Sequence, residues 1–221
     1  MNRFALLSAF LLILGAVAVP SAHAITMLQP VGISKVDGGH SAPLTPVIDQ
    51  SGLSIGYTSG VTDLASYVAA NPEHLSVPGV SGFFSNFRDP LGTYDLDLGG
   101  LFDVSRFVLW NDNDNNAVVG FNLFADDNAG FVSPTLIGAF TADPTLSISP
   151  DLMLPDLFSF APVEASHIRF EITSNNGSGF FHAFGEIAFG REEAVVDVPV
   201  PGSLALLGIG GLALLRRRRV C

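Results

Sequence analysis

Short runs of alternating apolar and polar residues limit the central part of this chain to β-structure. In residues 93–98 and 167–172 every second side chain, such as Leu96 and Phe170, is apolar. A period of two assigns the apolar and polar sets to opposite faces of a strand. Glycine and proline interrupt the apolar runs at short intervals, as they do at turns. The pattern predicts an all-β domain whose antiparallel sheets form a β-sandwich with one wet face per sheet.

Individual elements follow from the same pattern. Residues 106–110 are almost wholly apolar and are predicted to form a central strand, whereas Gly99-Gly100 is predicted to end the strand before it. One short helix is predicted between Thr62, its expected cap, and Asn71-Pro72. The expected core includes Leu96, Leu98, Phe107, Leu109, Leu123, Ile168, Phe170 and Ile187.

The start of the chain has the organisation of a secretory signal peptide. Arg3 precedes an apolar run over residues 4–19, and Ala22-His23-Ala24 places small side chains around a scissile bond. A translocase retains the charged end in the cytosol, and signal peptidase cleaves beside small residues. We therefore expect a helical signal peptide over residues 1–24 and a mature chain that starts at Ile25. The alternative, an uncleaved anchor, requires a longer apolar span of about 20 residues.

The end of the chain has a second apolar segment, over residues 203–215. It follows Val198-Pro199-Val200-Pro201 and precedes four arginines at 216–219. As a helix its 13 residues would extend about 20 Å, less than a hydrocarbon core of about 30 Å. The arginines are expected to stay in the cytosol, which places the preceding domain on the outer side of the inner membrane.

This tail resembles the PEP-CTERM sorting signal. The resemblance implies a membrane-sorting helix that is processed by an exosortase-type transpeptidase. Members of that family usually carry Val-Pro-Glu-Pro, and here Val200 occupies the glutamate position. An ordinary C-terminal membrane anchor is the alternative. We assign a linker to residues 191–197 and the tail to residues 198–221. The candidate sorting and processing residues are Ala22, Ala24, Val198, Pro199, Val200, Pro201, Arg216, Arg217, Arg218 and Arg219.

Charge and cysteine content exclude several classes of function. Five of the ten basic residues lie in the terminal segments, so the mature part keeps five against 21 acidic residues, a net charge of −16. Such a surface repels nucleic acid. The only cysteine is Cys221, so the domain can form neither an internal disulfide nor a cysteine-ligated metal site.

Five motifs, taken in their order along the chain, resemble the discoidin-like, coagulation-factor C-type domain. They occupy residues 94–99, 106–110, 121–127, 165–170 and 184–187. The resemblance covers residues 48–190 and implies an eight-stranded jelly roll of the galactose-binding-like class, which we assign to a domain over residues 25–190. Vertebrate-type members close their ends with a disulfide that this chain lacks. Their ligand loops vary too much for any binding residue to be carried over.

Two aromatic stretches outside the predicted strands are the candidate ligand-binding loops, residues 82–89 and 179–182. Sugars stack their CH faces on flat rings while neighbouring polar groups bond their hydroxyls. This chemistry selects Phe83, Phe84, Phe87, Arg88 and His182 as candidate binding residues. The alternative is that these phenylalanines cap the core of the sandwich.

No catalytic motif accompanies these loops. The histidines are scattered, and neither a zinc-protease H-E-x-x-H nor a G-x-S-x-G serine motif occurs. Asp95 and Asp97 share a strand face, as paired carboxylates do in glycosidases, but 21 acidic residues make such pairs common. We therefore predict a non-enzymatic protein of the cell envelope or extracellular matrix that binds polysaccharide or another surface polymer. A structural surface protein without a ligand and a secreted hydrolase are the alternatives.

The two terminal signals predict the mass of the mature protein. It should start at Ile25 and lack everything beyond residues 198–201, because both signals are removed during export. Intact-mass measurement of the protein recovered from medium and membranes reads both ends at once. Recovery of a secreted form that still carries Arg216 to Arg219 would contradict the sorting signal.

A polar loop is a candidate calcium site. Asp112, Asp114 and Asn116 alternate between two predicted strands, so their oxygens could converge with backbone carbonyls on one ion. Ala117 and Asn122 occupy the glycine and glutamate positions of the full calcium-loop motif, and an ordinary turn is the alternative. No other cofactor is expected. If the ion binds, millimolar calcium raises the melting temperature, whereas an unchanged temperature leaves the loop a turn.

Overall fold

Long antiparallel strands dominate the part of the chain that the computed structural model describes, residues 24–37, 42–75, 80–149 and 152–193. The assignments to Ala22, Val198 to Pro201 and Arg216 to Arg219 lie outside these residues. Within the described ranges, no helix has the length and apolar character needed to cross a bilayer.

The described residues form eleven strands, one α-helix and one 3-10 turn at Thr45–Val47. The strands are β1 (Ile25–Leu28), β2 (Gly32–Lys35), β3 (His74–Leu75), β4 (Phe83–Phe84), β5 (Thr93–Asn111), β6 (Val118–Asp126), β7 (Thr135–Thr141), β8 (Ser147–Ser149), β9 (Leu152–Met153), β10 (Pro155–Asn175) and β11 (Ala183–Glu192). The helix is α1 (Leu64–Ala69).

Eight strands form one sheet in the order β1-β11-β5-β10-β6-β7, with β2 added to β5 and β4 added to β11. The strands β3, β9 and β8 form a second, small sheet. All pairings between these strands are antiparallel. The prediction of an all-β, antiparallel fold is confirmed.

The large sheet folds over itself into two layers. We call the layer with β2, residues 93–98 of β5, residues 167–175 of β10, β6 and β7 the first layer. The second layer contains β1, β11, residues 104–111 of β5 and residues 155–163 of β10. Phe107 of the second layer packs against Phe121 and Phe170 of the first, with ring centroids 5.4 and 5.5 Å apart.

The core between the layers matches the sequence prediction. All eight residues expected there are buried: Leu96, Leu98, Phe107, Leu109, Leu123, Ile168, Phe170 and Ile187. These side chains come from four strands of both layers. Because every second residue of a strand points inward, the alternation over residues 93–98 and 167–172 was sufficient to identify Leu96, Leu98, Ile168 and Phe170.

The predicted break at Gly99-Gly100 is wrong, because β5 runs through it for 19 residues. The pairing with β10 slips in register next to this point, between Ala165 and His167. Gly99 has a left-handed φ of +80°, and a Cβ atom there would lie 2.9 Å from the side chain of Val31. Glycine therefore permits a bend here that carries one continuous strand from the first layer to the second.

Most of the outer side of the second layer is buried, contrary to the prediction of one wet face per sheet, and solvent reaches it mainly along β10 at Leu157 and Ser159. The buried part is covered by a second apolar cluster: Met27, Tyr57, Leu64, Tyr67, Val108, Trp110, Met153 and Ala188. The strand segment over residues 106–110 is therefore buried on both sides, which explains why it is apolar without alternation.

The helix α1 supplies part of this cover and confirms the predicted helix, but its cap differs. The Asp63 side chain accepts a hydrogen bond from the Ser66 main-chain nitrogen at 2.8 Å, so Asp63 and not Thr62 is the N-cap. Leu64 and Tyr67 are buried, whereas Val61 is 72% exposed. The helix therefore begins one residue later than a cap at Thr62 would place it.

The second layer also buries a carboxyl group, that of Glu186 in β11. The main-chain nitrogen of Gln50 donates to both of its oxygens, at 3.2 and 3.1 Å. Burial raises the pKa of Glu186 to about 9; the bond from Gln50 opposes this rise and the charge of Asp49 adds to it. Glu186 is therefore protonated in the folded protein at neutral pH.

Replacing Glu186 by glutamine is expected to flatten the pH dependence of stability. The folded pKa lies above the ordinary value of 4.5, so the stabilisation by the protonated group is complete below that pH and is lost as pH rises through about 9. Between about pH 7 and about pH 8.5 this group should lower the free energy of unfolding by about 1.4 kcal/mol per pH unit. Burial lowers the pKa of His74 to about 4, below this window.

Urea unfolding of the full chain and two variants measures this effect. Glu186→Gln should remove that part of the slope, because glutamine keeps an acceptor for the Gln50 nitrogen without a titrating proton. Glu164→Gln is the matched control, because Glu164 is exposed, and it should keep the wild-type slope. Equal slopes in all three proteins would contradict a protonated Glu186.

Candidate functional site

Four phenylalanines, one at the end of β4 and three in two neighbouring loops, form a partly exposed cluster at one end of the sandwich. We call Phe84, Phe87, Phe180 and Phe181 the aromatic patch. The rings of Phe87 and Phe180 stack with centroids 5.2 Å apart and an interplanar angle of 13°. Phe84 and Phe181 pack beside them, 4.9 Å apart. Phe87 is 62% exposed and Phe180 is 51% exposed, so the stacked pair presents its apolar surface to solvent.

The two loops that carry the patch are hydrogen-bonded to each other. The Asp89 nitrogen donates to the Phe180 carbonyl at 2.9 Å, and the Ser85 nitrogen donates to the His182 carbonyl at 3.0 Å. The His182 nitrogen in turn donates to the Ser85 hydroxyl at 3.0 Å. These bonds continue the pairing of β4 with β11 beyond the strand ends, so the stacked rings sit on connected backbone.

A single amide side chain shapes the second loop. Asn175 Nδ2 lies 2.9 Å from the Pro90 carbonyl, 2.8 Å from the Ser178 carbonyl and 2.9 Å from the Phe181 carbonyl. The Ser178 hydroxyl accepts a hydrogen bond from the Phe181 nitrogen at 3.0 Å. These contacts close a turn at Asn176-Gly177, where Gly177 has a φ of +102°.

Arg88 extends the aromatic patch with a positive charge. Its guanidinium lies 5.4 Å from the centroid of the Phe87 ring, within cation–π range. The side chain is exposed, and its backbone has a left-handed φ of +68°. The patch therefore combines flat apolar rings with a planar hydrogen-bond donor.

The structure corrects the sequence prediction at Phe83 and His182, which are both buried and offer no surface to a ligand. Phe83 pairs with Phe184 between β4 and β11, and its ring packs against Tyr94 at 5.5 Å. His182 Nδ1 donates to the Asp89 carbonyl at 2.8 Å, and the Tyr94 hydroxyl bonds its Nε2. Because burial lowers the pKa of His182, the ring is neutral and holds the loops in place.

Phe180 and Phe181 are the residues that the sequence prediction missed. The stretch over residues 179–182 was recognised, but only its histidine was taken as a candidate. Successive side chains of a strand point to opposite faces, so two consecutive phenylalanines cannot both be explained as inward-facing core residues. That adjacency was the available signal, and in the structure Phe180 is exposed and Phe181 half-buried.

The predicted calcium residues lie in a loop beside the aromatic patch. Asp114 accepts hydrogen bonds from the Asn116 backbone nitrogen at 2.6 Å and from its side chain at 2.7 Å. Burial, followed by the charge of Asp114, raises the pKa of Asp112 to about 6. Within the described ranges no three acidic, histidine or cysteine side chains are grouped to hold a metal. The calcium site stays a prediction, and the loop is shaped by its own internal bonds.

The paired carboxylates of the first layer are engaged in structural contacts. Arg169 binds both oxygens of Asp95, at 2.7 and 2.9 Å. Asp97 accepts a hydrogen bond from the Gly99 nitrogen at 2.8 Å, which supports the bend in β5. Neither group is arranged as a free acid and base facing one cleft.

Two of the surface clefts on the described residues lie away from the aromatic patch. They have volumes of about 370 and about 240 Å³. Neither is lined by a pair of aromatic rings. The larger cleft lies beside Gln29, Ile48 and Asp49, and the smaller beside Phe124, Arg169 and Glu171.

Comparisons with known proteins bear on the tail and on the fold. Residues 197–219 match the PEP-CTERM protein-sorting motif, which includes Val198 to Pro201 and the four arginines. No curated protein matches the chain.

Solved structures with a similar fold include chains with family 32 carbohydrate-binding modules. A truncated AlyQ with CBM32 and alginate lyase domains is 15% identical, with a TM-score of 0.50 over 83% of this chain and 38% of that chain. The family 32 module of C. perfringens NanJ, solved with galactose, is 14% identical, with a TM-score of 0.48 over 75% of this chain and 98% of its own. At these identities the similarity concerns the fold alone.

The sequence-based assignments of the tail and of the fold are therefore both confirmed. The chain is a discoidin-like β-sandwich, similar in fold to family 32 carbohydrate-binding modules, followed by a C-terminal PEP-CTERM sorting motif that marks it for export.

Proposed function

We propose that this protein is a non-catalytic surface or matrix protein that binds polysaccharide through the aromatic patch. The observation that carries the proposal is the stacked pair of Phe87 and Phe180, which are 62% and 51% exposed. A flat apolar surface on a rigid loop pair suits the CH face of a sugar ring. The similarity in fold to AlyQ, which contains a CBM32 domain, supports a binding role.

The exposure of these rings is costly unless a ligand covers them. Burying apolar surface is worth about 25 cal/mol per Å², and a contiguous exposed patch marks an interaction site. Phe83 and Phe184, by contrast, are buried in the core. Phe87 and Phe180 instead stack on each other in solvent, as expected of a preformed binding surface.

The position of the patch suits a protein that is held by its tail. The patch lies beside Ala183 at the start of β11, and the described domain ends at Glu193, just after the end of β11. Nine residue steps along a strand span about 30 Å. Only three residues separate Glu193 from the sorting motif. A polymer bound at the patch would thus lie at the end of the domain away from the tail.

This arrangement gives a role to each of the proposed processing steps. Signal peptidase would release the chain at Ala24, and the tail would hold it in the inner membrane until an exosortase-type transpeptidase acts at residues 198–201. During this time the aromatic patch would face away from the membrane and could bind polysaccharide outside the cell. The mature protein would then stay with that polymer in the envelope or the extracellular matrix.

Removing either of the stacked rings is expected to weaken binding without unfolding the protein. Phe87→Ala and Phe180→Ala should each weaken binding to the exopolysaccharide of the producing cells by about tenfold or more, which corresponds to about 1.4 kcal/mol. Leu136→Ala is the matched control, because Leu136 is 57% exposed and pairs with Phe124 near the far end of β6. Affinity electrophoresis of the full chain in gels that contain the polymer measures the change.

The same experiment separates the alternatives. If the wild-type chain and both phenylalanine variants migrate identically with and without polymer, the patch is not a binding site and the structural surface protein becomes the better account. Shortening of the polymer during incubation would instead support a hydrolase.

A further inference from the structure

Most of the few positive charges on the domain are already neutralised by a carboxylate. Lys35 lies 2.9 Å from Asp89, and its side chain is 1% exposed. Arg169 lies 2.7 Å from Asp95, and Arg191 lies 2.9 Å from Glu193. In this acidic chain a basic side chain therefore usually serves an internal ion pair.

Arg88 is different. Arg106, the other basic residue outside an ion pair, is half-buried and donates to the Ser105 carbonyl at 2.7 Å. Arg88 is exposed, and no carboxylate of the described residues pairs with it. The neighbouring charge of Asp89 is countered by Lys35. The positive charge of Arg88 is thus available to a partner outside the chain.

The backbone of Arg88 is held in a conformation that disfavours an arginine. A φ of +68° is uncommon for residues other than glycine, asparagine and aspartate. The hydrogen bonds from the Ser85 hydroxyl to the Asp89 carbonyl, 2.7 Å, and from the Asp89 nitrogen to Phe180 hold the turn. Strain of this kind persists where the surrounding structure fixes it and often accompanies a binding role.

The position of the guanidinium defines the chemistry of its partner. It lies 5.4 Å from the centre of the Phe87 ring, which itself stacks on Phe180. A ligand that stacks on this pair would bring its substituents next to the guanidinium. An arginine fork binds a carboxylate with two parallel hydrogen bonds, and these are about twice as strong as bonds between neutral groups.

We propose that the aromatic patch and Arg88 together bind a carboxylated sugar, a hexuronate unit of an acidic polysaccharide. The sugar ring packs against the exposed surface of the stacked Phe87–Phe180 pair, and its carboxylate bonds the Arg88 guanidinium. This inference rests on the proposed function and adds the class of ligand. The domain's other negative charges repel an acidic polymer. Salt screens those that lie more than about 8 Å from it, the Debye length at physiological ionic strength.

Paired oligosaccharides test the inference on the full chain. The probes are trimers of galacturonate, mannuronate and guluronate and their carboxyl-reduced counterparts, which keep the ring and lose the charge. The wild-type chain should bind at least one acidic trimer about tenfold more tightly than its reduced form, and Arg88→Gln should remove that preference. Arg106→Gln is the matched control and should keep it. Calorimetric titration gives the dissociation constants.

The outcomes separate this inference from the proposed function. If the wild-type chain binds reduced and acidic trimers equally and Phe180→Ala weakens both, polysaccharide binding stands and the acidic ligand is overturned. The acidic ligand is also overturned if Arg88→Gln leaves a preference for the acid unchanged. If the chain binds neither the trimers nor the exopolysaccharide of the producing cells, both proposals fail together.

Discussion

The pairing of β5 with β10 is the constraint on which both layers depend. The two strands have 19 and 21 residues and stay paired from Thr93 to Trp110, through two slips in register. One half of each strand lies in each layer, so the same hydrogen-bond ladder fixes how the layers face each other. The rings of Phe107 and Phe170 then meet in the core at 5.5 Å. The loops at the ends of this ladder inherit their positions from it.

The aromatic patch is held in place by polar residues beneath it, whose side chains hydrogen-bond the two loops. His182 contacts the Asp89 carbonyl and the Tyr94 hydroxyl, and Asn175 contacts three carbonyl groups of the two loops. Burial raises the pKa of Tyr94, which keeps its hydroxyl neutral and able to donate to His182. This polar support fixes the backbone that carries Phe87 and Phe180, whose rings stack in solvent.

The sequence could predict what depends on local pattern. Period-two alternation identified Leu96 and Phe170 as core residues, and Asn71-Pro72 marked the end of the short helix. It could not predict contacts between distant segments. Phe83 looked like a loop residue, but its pairing with Phe184 across about a hundred positions draws it into the core. The bend at Gly99 was read as a strand end, because glycine alone does not reveal that Val31 packs against it.

Mapping a bound sugar on the ring signals of the phenylalanines tests the central claim most directly. The full chain would be labelled at its phenylalanine rings and titrated with fragments of the exopolysaccharide of the producing cells. The account predicts that the largest chemical-shift changes fall on Phe87 and Phe180. The half-buried ring of Phe160, which lies in β10 and packs against Phe140, should not change. Saturable changes confined to rings outside the aromatic patch, with Phe87 and Phe180 unaffected, would contradict it.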